Sequence, residues 1–177
     1  MSTRRLVVVL LALAVAGGGA SASGLLDDRG GTDGSGDDGG GGDASIGRVV
    51  RVVDGDTIAV QFGATQERVR YIGVDTAETK DPRRPVQCFG QKAADFNAQL
   101  VDGERVRLVR DVEQRDRYGR LLAYVYRVRD ELFVNAELAR LGYAQPLTIA
   151  PDVRYADRFA RLAREARQAG RGLWSAC

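Results

Sequence analysis

Five short segments of the chain have the features of β-strands, and the first three show the period of two that is typical of them. They are residues 46–53, 57–62, 67–72, 104–109 and 121–128. An Asp-Gly-Asp turn joins the first segment to the second, and the third follows closely along the chain. The first three strands are therefore expected to form a meander. A polar turn around residues 115–119 separates the fourth strand from the fifth.

Apolar residues at helical spacing predict three helices. The first covers residues 89–101, and the second covers residues 134–141 and ends at Gly142. The third covers about residues 152–169, with an apolar stripe formed by Tyr155, Phe159, Leu162 and Ala166. Five short strands with helices after the third and the fifth predict a β-barrel with α-helices. The expected form is a five-stranded OB-fold Greek-key barrel with about three helices.

The first 44 residues lack such patterns and predict export. Residues 1–22 combine two arginines, an apolar run of eleven residues and an Ala-Ser-Ala site, which is the order of a signal peptide cleaved after Ala22. The run is shorter than the roughly 20 residues that a membrane-spanning helix needs. Residues 23–44 are rich in glycine and aspartate and predict a flexible linker. The folded domain, residues 45–177, is therefore expected to be secreted to an extracellular location, by a Sec or a Tat route.

The composition excludes several classes of catalytic site. The 177 residues include no histidine, which excludes a Ser-His-Asp triad, a histidine base and an HExxH zinc site. Two cysteines, Cys88 and Cys177, are too few for a four-cysteine zinc site. The net charge is +2, and the first 44 residues carry three arginines and six aspartates, which leaves +5 on the folded domain. Catalysis must therefore use carboxylates, arginines, tyrosines, lysines or a metal held by oxygen atoms.

Two charged segments lie where predicted strands end. In Asp54-Gly-Asp56-Thr, two carboxylates at a hairpin mouth suit a hard cation, although Asp-Gly is also a common turn dipeptide. Arg70 lies on the third strand, and Asp75 and Glu78 follow where that strand gives way to a loop. A cation with two carboxylates suits phosphate and metal together, and the alternative is an ordinary Arg70–Asp75 salt bridge.

A third charged segment, Asp116-Arg-Tyr-Gly-Arg120, opens the fifth strand. Its glycine allows the backbone to approach a ligand closely, and the arginine after it projects from a strand end. The alternative is a hairpin turn with surface arginines.

Taken together, these segments resemble the thermonucleases, the family of staphylococcal nuclease. The shared patterns are D-G-D-T from residue 54, R-x-x-x-x-D-T-x-E-T from residue 70 and D-x-Y-G-R-x-L-A-Y from residue 116, in order and at matching separations. The resemblance covers nearly all of residues 45–174. It implies an OB barrel and calcium-dependent hydrolysis of DNA and RNA, with products that carry 3′-phosphate and 5′-hydroxyl ends.

The resemblance also implies roles for individual residues. The expected calcium ligands are Asp56, Asp75 and the carbonyl of Thr76; the catalytic residues are Arg70, Glu78 and Arg120; and the nucleic-acid contacts are Arg117 and Tyr118. Two tyrosines of the family, which face a nucleotide, are replaced here by Thr148 and Ala150, so base stacking at that place should be lost. Ala77 replaces a proline that the family often has before the catalytic glutamate, so the loop that carries Glu78 should be less rigid.

Two other functions compete with the nuclease: a non-catalytic nucleic-acid-binding OB fold, and an extracellular interaction domain tethered by the linker. A degenerate copy that only binds nucleic acid should have lost one or more of five charged residues, and all five are present: Asp56, Arg70, Asp75, Glu78 and Arg120. The nuclease is expected to be a monomer that acts on DNA and RNA, with no stable membrane association after signal cleavage. Cys88 and Cys177 are expected to form a disulfide after export, and the alternative is two free thiols.

Overall fold

The computed structural model describes residues 44–78 and 87–177. The predicted signal peptide and residues 23–43 of the predicted linker lie outside this part of the chain. The described strands are β1 (Ala44–Asp54), β2 (Thr57–Phe62), β3 (Thr65–Tyr71), β4 (Val74–Asp75), β5 (Arg105–Val109), β6 (Leu121–Arg127), β7 (Leu132–Phe133) and β8 (Gln145–Pro146). The described helices are α1 (Gly90–Val101), α2 (Val134–Arg140), α3 (Ala156–Gln168) and α4 (Leu173–Ala176). None of these helices is long and apolar enough to cross a bilayer.

Five strands form a closed barrel. Strands β3, β2, β1, β5 and β6 are neighbours in that order through antiparallel pairs, and a parallel pairing of β3 with β6 closes the sheet. The short strand β7 adds to the outer edge of β6. This arrangement, with three main helices, confirms the predicted five-stranded OB-fold barrel.

The barrel interior is filled by the apolar faces of the alternating strands. The core residues on the five barrel strands include Val49, Ile58, Val60, Val69, Tyr71, Val106, Leu108, Leu121, Ala123 and Val125, each at most 7% exposed. Strand β2 has the bounds that its alternation predicts. The side chains of Phe159, Leu162 and Ala166 are buried on α3, so the predicted stripe faces the core, while Tyr155 is half-buried just before the helix begins.

Two fully buried asparagines attach helices to strand ends. On α1, Asn97 accepts a hydrogen bond from the Tyr71 hydroxyl at 3.0 Å and donates to the carbonyl of Asp54, also at 3.0 Å. On α2, Asn135 accepts from the backbone N–H of Val125 at 2.9 Å and donates to the carbonyl of Ile72 at 2.9 Å. Because buried polar groups are costly without partners, these bonds attach α1 to the ends of β1 and β3, and α2 to β6 and to the residue after β3.

The third predicted helix, α3, begins later than the sequence predicts, at Ala156 rather than near residue 152. The side chain of Asp152 is buried and accepts hydrogen bonds from the backbone N–H groups of Val112 and Glu113, both at 2.9 Å. A residue whose side chain binds a neighbouring loop in this way belongs to a turn and not to a helix. The short strands β4, β7 and β8 and the short helix α4 were also not predicted.

Cys88 and Cys177 form a disulfide between residues 89 positions apart. It joins the turn before α1 to the last residue of the chain. The structure therefore contains the bond that the sequence predicts.

Gly73 should not tolerate a side chain, whereas Gly63 should tolerate one at a modest cost. Both glycines have positive φ, +82° and +53° respectively, but a Cβ on Gly73 would lie 2.2 Å from the Phe159 ring, and a Cβ on Gly63 would meet nothing within 4 Å. We expect Gly63→Ala to lower the free energy of unfolding by about 1 kcal/mol, from backbone strain alone. Gly73→Ala should lower it by about 2 to 5 kcal/mol, because overpacking adds to the same strain. Equal losses in urea denaturation would contradict this difference.

Candidate active site

Asp56 is a buried carboxylate at the turn between β1 and β2. Its Oδ2 accepts hydrogen bonds from the backbone N–H of Thr76 at 2.8 Å and from the Thr76 hydroxyl at 2.9 Å, while its Oδ1 accepts from the Thr57 hydroxyl at 3.1 Å. Gly55 is needed at this turn, because a Cβ there would lie 2.7 Å from the Thr76 hydroxyl oxygen. The Asp-Gly-Asp segment is therefore more than a common turn, since it binds the loop that contains Thr76.

The loop that follows β3 carries Asp75 and Thr76, and β4 and β8 hold it in place. Asp75 pairs with Gln145 across this two-stranded sheet, and Val74 pairs with Pro146. Both candidate calcium-binding segments therefore lie beside each other, because Asp56 binds Thr76 directly. The structure brings together Asp56, Asp75 and Thr76, the residues that the family resemblance names as calcium ligands.

Arg70, near the end of β3, lies between the two aspartates. Its Nε is 3.3 Å from Asp56 Oδ1 and its Nη2 is 2.7 Å from Asp75 Oδ1. Its Nη1 donates to the carbonyls of Tyr71 and Val74, at 2.9 and 2.8 Å. A guanidinium can donate from all three of its nitrogens, and these contacts involve all three. The Arg70–Asp75 salt bridge that the sequence offered as an alternative is therefore present, together with the ion pair between Arg70 and Asp56.

The carboxylates near Asp75 repel one another. Partial burial raises the pKa of Asp75, and the negative charges of Asp56 and Glu78 raise it further, against the opposing charge of Arg70. Within the described residues, no three His, Cys, Asp or Glu side chains are grouped closely enough to hold a metal by themselves. A cation at this place would need backbone carbonyl, substrate or water ligands besides Asp56 and Asp75.

Glu78 is exposed at the end of the described part of this loop. Its backbone N–H donates to the side-chain oxygen of Gln87 at 3.0 Å, and its carbonyl accepts from the backbone N–H of Gln87 at 3.1 Å. Residues 79–86 lie between these two positions and outside the described residues. Glu78 is thus close enough to Asp75 to act on its pKa, and its backbone is tied to the turn before α1.

Arg120 lies just before β6 and is held by Asp116. Its Nε donates to Asp116 Oδ2 at 2.7 Å and its Nη2 lies 2.6 Å from the same oxygen. Asp116 Oδ1 accepts from the backbone N–H groups of Tyr118 and Arg120, at 2.9 and 3.0 Å. Partial burial acts to raise the pKa of Asp116, but the bonds from Arg120 and Tyr118 outweigh it and hold this pKa below its usual range.

Tyr118 is 68% exposed and has cations beside its ring. The guanidinium carbons of Arg117 and Arg120 lie 4.8 and 5.5 Å from the ring centroid, and Arg117 Nη2 donates to the Tyr118 hydroxyl at 2.7 Å. An exposed aromatic ring with neighbouring arginines is suited to stacking on a base and binding a phosphate. The turn therefore has the chemistry of a nucleic-acid contact.

The register of the barrel places Arg70 and Arg120 at the same end. In the parallel pair, Val69 is opposite Leu121 and Arg70 is opposite Leu122. Val69 and Leu121 are buried in the core, and Arg120 directly precedes Leu121. Because side chains alternate along strands, Arg70 and Arg120 lie away from the core near the point where β3 and β6 meet.

Two residues that the sequence analysis did not assign support the site. Asp116 orients Arg120, and Gln87 binds the backbone of Glu78. Asp116 lies within the D-x-Y-G-R pattern, which could have indicated it, whereas Gln87 belongs to no pattern. Thr148 and Ala150, which replace the tyrosines of the family pattern, are both exposed.

Comparisons with known proteins agree with these patterns. A family model described as "Staphylococcal nuclease homologue" matches residues 68–176. The thermonuclease of Staphylococcus hyicus is 41% identical over 128 residues, which cover 72% of this chain and 75% of that protein. The thermonuclease of Staphylococcus intermedius is 42% identical over 126 residues, covering 71% of this chain and 74% of that protein. Endonuclease YncB of Bacillus subtilis is 39% identical over 129 residues, covering 71% of this chain and 59% of that protein.

The Asp116–Arg120 pair should make stability depend on pH. Asp116→Asn keeps an oxygen for the two backbone N–H groups but removes the charge that Arg120 contacts. Because the pKa of Asp116 is lower in the folded than in the unfolded protein, its stabilisation is complete above the unfolded value of about 3.9 and disappears as pH falls through the folded value. We therefore expect the variant to have a lower urea midpoint at about pH 7, and a smaller deficit as the pH falls below about 4. A deficit that is the same at every pH would contradict this assignment.

Proposed function

This chain belongs to the staphylococcal nuclease family, and from that premise we propose that it is a secreted, calcium-dependent nuclease. It hydrolyses phosphodiester bonds of DNA and RNA and leaves 3′-phosphate and 5′-hydroxyl ends. The observation that carries the proposal is the grouping of Arg70 with Asp56 and Asp75 at one end of the barrel, where Arg120 also lies. We infer further that the protein acts outside the cell as a monomer, and a disulfide suits an oxidising compartment.

The residues at this end of the barrel fit calcium. Asp56 is oriented by three hydrogen bonds from Thr57 and Thr76, and Asp75 carries a charge that its acidic neighbours disfavour. A divalent cation would relieve that repulsion, and calcium accepts about six to eight oxygen ligands in irregular geometry. Asp56, Asp75 and the Thr76 carbonyl would hold it, together with water. When bound, calcium supplies a Lewis acid for a phosphoryl oxygen.

The two arginines bind and stabilise the phosphate. A phosphodiester gains negative charge as water attacks, so fixed cations at that point lower the barrier. Arg70 is held by four contacts and Arg120 by its pair with Asp116, so neither needs to be ordered when the substrate binds. The Arg120 fork suits two oxygens of one phosphate group, whereas Arg70, whose three nitrogens all contact protein groups, is suited to a single phosphate oxygen.

Glu78 acts on the attacking water. In a chain without histidine, a carboxylate is the side chain suited to orienting or deprotonating water near neutral pH. Attack of water on phosphorus with cleavage of the bond to the 5′ oxygen leaves the phosphate on the 3′ oxygen. This bond cleavage gives the product ends that we propose.

The substrate and metal requirement can be tested directly with the purified protein. Single-stranded DNA, duplex DNA and RNA are each incubated with calcium, magnesium or EDTA, and the product ends are identified by end-labelling. We expect cleavage of all three substrates in calcium, none in EDTA, and 5′-hydroxyl products that accept a labelled phosphate without prior dephosphorylation. Binding of DNA without cleavage in calcium would support the non-catalytic barrel, and products with 5′-phosphate ends would contradict the proposed bond cleavage.

Glu78→Gln and Arg120→Lys should each abolish most turnover without unfolding the protein. Glutamine keeps the size of the side chain but cannot accept a proton, a loss that typically lowers kcat by about 10² to 10⁴. Lysine keeps the charge but loses the bidentate fork. Glu165→Gln and Arg161→Lys are matched controls, because these residues form an exposed ion pair on α3 and should leave kcat unchanged. Wild-type kcat in Glu78→Gln and Arg120→Lys, at saturating calcium and substrate, would show that other residues are catalytic.

A further inference from the structure

Two hydrogen bonds tie both peptide groups of Glu78 to one residue. The side-chain oxygen of Gln87 accepts from the Glu78 N–H at 3.0 Å, and the Gln87 N–H donates to the Glu78 carbonyl at 3.1 Å. A side chain leaves the backbone in a direction set by the two flanking peptide groups. The direction in which Glu78 projects therefore depends on where Gln87 is held.

Gln87 is itself fixed from the side of α1. Its carbonyl accepts from the N–H of Gly90, the first residue of α1, at 3.0 Å. Between them, Phe89 packs its ring 5.2 Å from that of Tyr143. The next residue after Gln87 is Cys88, which is covalently bonded to Cys177.

The far end of that disulfide is also held. The N–H of Cys177 donates to the carbonyl of Leu173 at 3.1 Å, and the N–H of Leu173 donates to the carbonyl of Gly142 at 2.9 Å. The backbones of Gly142 and Gly172 approach so closely that a Cβ on Gly172 would lie 2.2 Å from the Gly142 oxygen. The C-terminal segment is thus attached to the end of α2, and the disulfide connects that attachment to Gln87.

A pocket of about 240 Å³ lies between the C-terminal segment and the loop that carries Asp75 and Thr76. Asp75 and Ala77 line it from the loop, Leu173 and Cys177 line it from the C-terminal segment, and Gln87 lies between them. An open pocket leaves fewer direct packing contacts between its opposite walls. The hydrogen bonds of Gln87 and the disulfide connect the two walls of this pocket.

We propose that Gln87 is a positioning residue for Glu78, and that the Cys88–Cys177 disulfide holds Gln87 in place. The effect on turnover rests on the proposed function, whereas the effect on the Glu78 backbone does not. This support compensates for Ala77, which stands where the family pattern often has a proline and leaves the loop without that source of rigidity.

The role of Gln87 is tested with three variants of the full chain. Gln87→Leu removes the acceptor at similar size, Gln87→Glu keeps an acceptor oxygen, and Gln91→Leu is a control on α1 that removes a comparable bond, to Asp95. We expect Gln87→Leu to lower kcat by about 10- to 100-fold with KM unchanged, as loss of an orienting partner does at other sites. Gln87→Glu should recover most of kcat, and Gln91→Leu should match the wild type.

Amide hydrogen exchange gives a readout that does not need catalysis. In Gln87→Leu the Glu78 N–H should exchange about 2- to 10-fold faster, as expected for one lost hydrogen bond, while the core N–H of Val125 is unchanged. Replacing both Cys88 and Cys177 by Ser should also speed exchange at Glu78 and lower kcat. Equal exchange rates at Glu78 and Val125 in this variant would mean that both amides exchange through global unfolding, which would overturn the disulfide's part of the proposal.

The outcomes separate this inference from the proposed function. If the wild-type protein cleaves no nucleic acid, the proposed function fails and exchange at Glu78 still decides the role of Gln87. Wild-type exchange at Glu78 in Gln87→Leu would overturn the inference whatever the activity. Wild-type kcat in Gln87→Leu, in a protein that is an active nuclease, would overturn it as well.

Discussion

The parallel pairing of β3 with β6 is the contact on which the rest of the site depends. Parallel strands need a long crossover connection, and here the chain between them contains α1 and β5. Packing of Val69 and Leu121 in the core sets the register of the pair, and a slip by one residue would turn the apolar side chains outward. The same register determines that Arg70 lies near the turn that carries Arg120. Core packing therefore decides the separation of the two phosphate-binding candidates.

The charged residues at this end of the barrel hold one another before any ligand arrives. Arg70 is paired with Asp56 and Asp75, and Arg120 is paired with Asp116. Each arginine is thereby ordered in the folded protein, so substrate binding does not carry that entropic cost. The pairs also reduce the repulsion among the carboxylates. A guanidinium suits this arrangement better than an ammonium, because its several directed N–H groups can contact a carboxylate and a phosphate at once.

The sequence predicted the barrel well because strand patterning is a local property that can be recognised within each short segment of the chain. The same analysis missed β4 and β8, since a two-residue strand has no period to detect and its pairing joins distant segments. It also began α3 too early, because the buried turn around Asp152 is held by the distant backbone of residues 112 and 113. The site residues follow known patterns, but Gln87 follows none. Its contact with Glu78 depends on how the two ends of residues 78–87 are brought together.

The candidate catalytic residues differ in how the fold supports them. Arg70 and Arg120 lie at or beside strands of the closed barrel, where the sheet restrains the backbone directly. Glu78 lies three residues beyond β4, so the sheet does not restrain it, and its support must come from elsewhere. Hydrogen bonds to Gln87 give that support only if Gln87 is itself restrained, and a covalent bond at Cys88 is a restraint that does not depend on packing. The disulfide therefore restrains the folded protein next to Gln87, and through Gln87 near Glu78, in addition to its effect on the unfolded chain.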